Sequence, residues 1–189
     1  MIYGLLLAGG KSSRMGEDKK QLFHHGQPLL DHALDLLQSS GVDRVLISGE
    51  VEGYEFIPDI YPGSGPLGGI YSAVDFLASE KEFNDSLLLV IPVDMPFLTV
   101  ESLKRLIGGI DSYAACQYEN KIFPCVLRNS VSLYKHLQRI FADSHEKGGV
   151  RSMRALLETA QAHALRIDTL PQNVFANINT PSDLAMLKQ

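Results

Sequence analysis

Five consecutive aliphatic residues, Leu87-Leu-Leu-Val-Ile91, constrain this chain more than any other stretch. They do not alternate with polar residues, so neither side of a strand built from them can face water. Such strands lie inside mostly parallel sheets, with helices covering both faces. The run ends at Pro92-Val-Asp94-Met-Pro96, which puts a carboxylate at the carboxyl end of a central strand. Shorter aliphatic runs at Leu5-Leu-Leu7 and Arg44-Val-Leu-Ile-Ser48 repeat the pattern, with amphipathic segments between them. The alternation is that of βα units around one sheet. Ligands of open α/β sheets bind beyond the carboxyl ends of the strands, which makes each strand exit a candidate site.

The exit of the first run is the richest. Leu5-Leu-Leu-Ala-Gly-Gly-Lys-Ser-Ser-Arg-Met-Gly-Glu-Asp-Lys19 stops an apolar run at two glycines and follows it with Lys11, Arg14 and Lys19. Gly9 and Gly10 let backbone amides approach an anion closely, and the cations bring positive charge to the same place. The dinucleotide pattern G-x-G-x-x-G is absent. The triphosphate loop G-x-x-x-x-G-K-[ST] matches at Gly10-Lys-Ser12, but its earlier glycine falls on Leu5. From spacing alone, a phosphate site and an ordinary strand-to-helix turn both remain open.

Further along, Leu30, Ala33, Leu34 and Leu37 stand at helical spacing, ended by Gly41. Phe56-Ile57 is a short third strand candidate leading to Pro58-Asp59. Tyr61-Pro-Gly-Ser-Gly-Pro-Leu-Gly-Gly-Ile70 is a turn opening a helix near Leu67, with Ile70, Val74 and Leu77 on its buried face. Bare backbone there leaves room for a flat ring or a sugar, and a helix N-terminus adds affinity for anions. A helix is expected over Val100 to Ile110 with Thr99 as its cap, which frees Asp94 from that duty. Tyr113 to Gln117 and Phe123 to Arg128 read as a hairpin at the sheet edge, and Val131 to Asp143 as a helix. Lys147-Gly-Gly-Val-Arg151-Ser-Met-Arg154 opens another helix, running to about Ala162. Its arginines either hold a phosphate or are solvated surface. In Phe175-Ala-Asn177-Ile-Asn179-Thr-Pro181, alternation puts Asn177 and Asn179 on one face of a short strand, while Thr180 and Pro181 suit a helix start.

Composition excludes several classes. At 189 residues with 45% hydrophobic and 21% charged content, the chain is expected to form one soluble domain over 1–189. A net charge of −5 leaves no broad basic surface for nucleic acid. No run is long enough to span a bilayer, and Met1-Ile-Tyr-Gly lacks the basic opening of a signal peptide. Cytoplasmic residence follows as an expectation. Cys116 and Cys125 have no C-x-x-C spacing and read as reduced thiols; the scattered histidines lack zinc-ligand spacing.

The first motif closely resembles the signature loop of nucleotidyltransferases that use a nucleoside triphosphate, and its two-glycine form looks most like the molybdenum cofactor guanylyltransferases. Gly65-Pro-Leu-Gly-Gly-Ile70, Pro92-Val-Asp94-Met-Pro96 and Asn177-Ile-Asn179-Thr-Pro181 are similar to later motifs of that family. The resemblance runs in order from Leu7 to Leu184. It implies a three-layer, Rossmann-like nucleotidyltransferase fold, with a mostly parallel central sheet and an antiparallel edge. It also implies transfer of GMP from GTP to the molybdopterin-bound molybdenum cofactor, with release of pyrophosphate. By the same resemblance, Arg14, Lys19 and Asp94 carry catalysis, with Mg2+ on Asp94. Leu7, Ala8, Gly9, Gly10, Lys19, Ser48, Asp59, Gly65, Pro66, Leu67 and Asp94 line the nucleotide, and Arg151, Asn177 and Asn179 meet the pterin acceptor. Where many relatives carry asparagine, this chain has Ser48-Gly-Glu50, and Phe123 stands where the family often places histidine. Small-molecule substrates are implied, together with transient contacts to cofactor-biosynthesis proteins or molybdoenzymes. The alternatives are a cytidylyltransferase or sugar-phosphate nucleotidyltransferase of the same fold, or a non-catalytic nucleotide-binding relative.

Overall fold

The computed structural model describes residues 1–9, 23–24, 26–80, 86–143, 152–171, 173–179 and 183. In chain order its elements are β1 (Ile2–Leu7), β2 (Phe23–His24), β3 (Gln27–Pro28), α1 (Leu29–Ser39), β4 (Arg44–Ser48), α2 (Gly65–Ser79) and β5 (Ser86–Pro92). They continue as α3 (Val100–Gly108), β6 (Ala115–Tyr118), β7 (Cys125–Asn129), α4 (Val131–Asp143), α5 (Met153–Thr159) and β8 (His163–Leu165). The main sheet has six strands in the order β4-β1-β5-β7-β6-β8, and β2 and β3 form a separate small antiparallel pair.

The aliphatic run is where its composition requires it to be. β5 lies between β1 and β7, and Leu88, Leu89, Val90 and Ile91 are all but inaccessible to water. Burying such a side chain contributes about 1.5–3 kcal/mol. Alternation then sorts the sheet into two faces. Leu6, Leu89, Ile91 and Val126 pack with α1 and α3, whereas Leu5, Leu7, Leu88, Val90 and Leu127 pack with α2, α4 and α5. The result is three layers, helix on sheet on helix.

β1 pairs in parallel with β4 and with β5, in a register that sets Leu7 beside both Ser48 and Pro92. Three strand ends therefore finish level at one edge of the sheet. The chain leaves β1 for one side and later returns on the other, the arrangement that opens a crevice above the strand tips. β7 runs antiparallel to both β5 and β6, and β8 resumes the parallel direction beside β6. The β6–β7 hairpin thus lies one strand in from the edge where it was expected. Its flanks are apolar, with Cys116 and Tyr118 fully buried, and the three residues of β8 cover it.

Other expectations shift at their ends. Phe56-Ile57 makes only an isolated parallel bridge, Ser48 to Ile57, and no strand. Phe175 to Asn179 is not a strand either, because none of its backbone pairs in a ladder. Alternation survives there all the same: Ile178 is buried, with Asn177 and Asn179 exposed on either side of it. The helix expected from Lys147 begins, among the described residues, at Met153, capped by the Ser152 hydroxyl that accepts from the Ala155 amide. Thr180 and Pro181 lie outside the described residues.

α3 opens with a reciprocal cap. The Thr99 hydroxyl accepts from the Ser102 amide at 3.1 Å, and the Ser102 hydroxyl meets the Thr99 amide at 3.2 Å. Thr99→Ala is expected to cost about 1 kcal/mol, the usual value of such a cap, read as a lower urea midpoint at unchanged slope. Cys116 belongs to the α1/α3 face and Cys125 to the α2/α4/α5 face, so no disulfide can join them across the sheet. Both are free and buried; desolvation pushes the Cys116 thiol up to about 11 and the Cys125 thiol higher still. Neither is a nucleophile at neutral pH. Among the described residues, no helix is long and apolar enough to cross a membrane.

Candidate active site at the strand tips

Beyond β1, the Ala8 and Gly9 amides both donate to the Ser48 carbonyl, at 2.9 and 3.0 Å. The loop after β1 is thereby laid against the loop after β4. Gly49 makes this possible. It sits at φ +99, and a Cβ on it would stand 2.5 Å from the Gly9 nitrogen and 2.6 Å from the Gly9 Cα. Two bare backbones therefore touch between the two strand ends. Gly69 plays a similar part in α2, where a Cβ would run into the Ser48 hydroxyl and come within 3.0 Å of Leu7 Cδ2.

Ser48 is buried, and its hydroxyl donates to Asp59 Oδ1 at 3.1 Å. Asp59 is half-buried and is held there by the chain around it. The Ile57 amide donates to the Ile47 carbonyl at 2.7 Å, and the Ile60 amide to the Ser72 hydroxyl at 2.9 Å. Gly65 and Pro66 open α2 at the exposed rim, with Pro66 in the first turn, where its missing donor costs nothing. Because α2 carries the chain back from the tip of β4 to the start of β5, its N-terminus lies at this same edge. Leu7 and Leu67 have side chains packed in the core, so any contact they make with a ligand goes through their main chain.

The second half of the site hangs from β5. The Val93 amide donates to the Leu7 carbonyl at 3.1 Å, carrying the β1–β5 pairing one residue past the strand end. Asp94 follows, half-buried. Its own carbonyl accepts from the Ile178 amide at 2.8 Å, which fixes Asn177 and Asn179 beside it. The Asn179 amide in turn donates to Asp183 Oδ2 at 2.9 Å.

Leu7, Ala8, Gly9, Ser48, Asp59, Gly65, Pro66, Leu67, Asp94, Asn177 and Asn179 thus gather at one edge of the sheet, from segments up to the length of the chain apart. Gly10, Arg14, Lys19 and Arg151 lie outside the described residues. Gly49 and Gly69 were not among the expected residues. A glycine after a strand reads as a turn, and only the through-space approach of Gly9 and Ser48 reveals what these two do. A separate cavity of about 340 Å3 lies between β7, α4 and α5, with Arg128, Lys135, His136 and Arg139 on its walls. Its lining residues Arg128 and Ser130 flank Asn129 of β7, which pairs with Ser86 at the start of β5, the end of that strand away from Asp94.

Comparison with known proteins agrees with this geometry. Residues 4–165 match the family model described as MobA-like NTP transferase domain. The molybdenum cofactor guanylyltransferase of Xanthomonas euvesicatoria pv. vesicatoria is 35% identical over 97% of this chain and 93% of its own. That of Rhizobium johnstonii is 31% identical over 97% and 90%. In fold, the chain is similar to the crystal structure of molybdopterin-guanine dinucleotide biosynthesis protein A from Archaeoglobus fulgidus. That match has a TM-score of 0.73 at 23% identity and covers 98% of this chain and 96% of the other. The 4-diphosphocytidyl-2C-methyl-D-erythritolsynthase of Anaerococcus prevotii shares the fold at a TM-score of 0.67 and 13% identity, over 98% and 93%. With the family model spanning most of its length, and relatives above 30% identity aligned nearly end to end, this chain belongs to the MobA-like NTP transferase family.

Proposed function

We propose that this protein transfers the GMP moiety of GTP to the terminal phosphate of the molybdopterin that carries molybdenum. A phosphate oxygen of the acceptor attacks the α-phosphorus of GTP. The new P–O–P link forms as the bond between the α- and β-phosphates breaks, and pyrophosphate leaves with the electron pair. The attacking oxygen is already anionic, so no general base is needed. Catalysis is then mostly positioning and charge neutralisation.

The names of the relatives support the choice of substrates. The observation that carries the geometry is the Val93-to-Leu7 hydrogen bond, which sets the turn bearing Asp94 beside the turn bearing Ala8 and Gly9. On this reading Gly9 and Gly10 offer backbone to the nucleotide, Asp59 and Ser48 face the guanosine, and Arg14 and Lys19 offset charge on the leaving pyrophosphate. Arg151, Asn177 and Asn179 meet the acceptor.

The donor set fits magnesium. Asp94 offers hard oxygens, and among the described residues no three His, Cys, Asp or Glu side chains gather into a metal cage. Magnesium takes one or two protein carboxylates and fills the rest of its shell with water and phosphate oxygens. When bound, it neutralises phosphate charge and polarises phosphorus. The reaction belongs in the cytoplasm, with small-molecule substrates and transient contacts to the proteins that supply or receive the cofactor.

The direct test incubates the protein with GTP labelled at the α-phosphate, magnesium and a molybdopterin-type acceptor. Label should move to the acceptor with one pyrophosphate released per transfer, and CTP and ATP should give none. Transfer from CTP alone would make the protein a cytidylyltransferase. Binding of GTP without pyrophosphate release would make it a non-catalytic relative.

A further inference from the structure

The turn that carries Asp94 is short of donors. Pro92 and Pro96 flank it and have no amide hydrogen to anchor it, so beside the Val93 amide, which donates to the Leu7 carbonyl, two of its carbonyls help to hold it in place. Asp94 uses Ile178 for this. Pro96 uses a side chain from another layer: its carbonyl lies 2.9 Å from Nε2 of His32, on α1. A carbonyl can only accept, so that ring nitrogen carries the proton and donates.

The His32 ring is itself fixed. The ring of His24 meets it edge-on, with centroids 5.2 Å apart at 80°. His24 packs in the same way on Phe97, at 5.3 Å and 80°, and is buried. His24 belongs to β2, the strand that follows the glycine-rich cationic motif in sequence. Phe97 follows Asp94 by three residues. One cluster of rings, with His32 on α1, His24 on β2 and Phe97 after β5, therefore joins the return from the first motif to the turn of the proposed metal carboxylate.

We propose that His32 is a positioning residue for Asp94. By pinning the Pro96 carbonyl, it holds the turn 93–97 in the one conformation that presents the carboxylate to a metal–triphosphate. It touches neither metal nor substrate, and the role rests on the assignment of Asp94 made above.

The test compares His32→Phe, which keeps an aromatic ring against His24 but removes the donor, with His32→Gln, whose amide restores one. Mn2+ affinity is measured by electron paramagnetic resonance with an α,β-methylene GTP analogue bound. Turnover, the KM for GTP and the melting temperature are measured alongside. His32→Phe should weaken Mn2+ binding and lower kcat by about 10-fold, the usual cost of losing an outer-shell partner. The KM for GTP should stay within about 2-fold, since the nucleotide's own contacts remain. His32→Gln should recover most of the metal affinity. Unchanged Mn2+ binding in His32→Phe would overturn the proposal, as would equal loss of metal affinity and melting temperature in both variants. Asp94→Asn serves as the control. If it too binds Mn2+ normally, the assignment of Asp94 has failed; if it alone loses the metal, only the role of His32 has.

Discussion

Asp94→Asn should lower guanylyl transfer at saturating GTP by about 10²–10³-fold, the cost of removing one fixed electrostatic partner of a transition state. The substitution is nearly isosteric and swaps a carboxylate oxygen for an amide. A neutral amide oxygen is a poorer ligand for a hard cation and cannot offset the charge of a triphosphate. The fold should not notice. Asp94 is half-buried, and its tie to Ile178 is made by its main chain. Stability should change by no more than about 0.5 kcal/mol, or about 2 °C in melting temperature for a chain of this size. Steady-state pyrophosphate release and a thermal scan on the same preparation measure both effects. A variant that turns over near the wild-type rate would remove the metal carboxylate from this site.

Gly49→Ala should harm binding and stability together. Residue 49 is at φ +99, which costs an L side chain about 1–2 kcal/mol. The added methyl would also stand 2.5 Å from the Gly9 nitrogen, so the backbones after β1 and β4 must part. Displacing packed backbone costs a further 1–3 kcal/mol or so, and the sum, about 3 kcal/mol, should lower the melting temperature by about 6–12 °C. The movement occurs where the nucleotide is expected, so the KM for GTP should rise by about 10-fold or more. Gly53→Ala is the matched control. Gly53 has φ +81, but nothing lies within 4 Å of the added carbon. It should show the conformational penalty alone, with an unchanged KM. Equal effects of the two substitutions on KM would mean that the contact with Gly9 is irrelevant to binding.

The sequence disclosed those features that depend on neighbours along the chain. The exit of a fully apolar strand singles out Asp94, and the bounds of β4 and β5 follow from where aliphatic residues stop. The Thr99 cap is legible because capping is a matter of three or four residues. Phe56-Ile57 reads as a strand candidate because it is apolar, and the Asn177–Asn179 segment because its side chains alternate, yet both patterns say only which side is buried. Whether a ladder forms depends on a partner backbone running alongside, and these segments meet one only at single points, Ile57 at Ile47 and Ile178 at Asp94. β8 escaped notice for the opposite reason, having three residues and no apolar pattern. The roles of Gly49, Gly69 and His32 depend on residues 21 to 64 positions away. No local pattern contains them.

The bond between the Ile178 amide and the Asp94 carbonyl also sets a schedule. During synthesis, β1, β4 and β5 can pair as soon as residue 92 has emerged, but the clamp on the Asp94 turn is missing until Ile178 leaves the ribosome. A nascent chain can therefore assemble its scaffold well before the turn that carries Asp94 is tied down, because the group that ties it comes so much later in the chain.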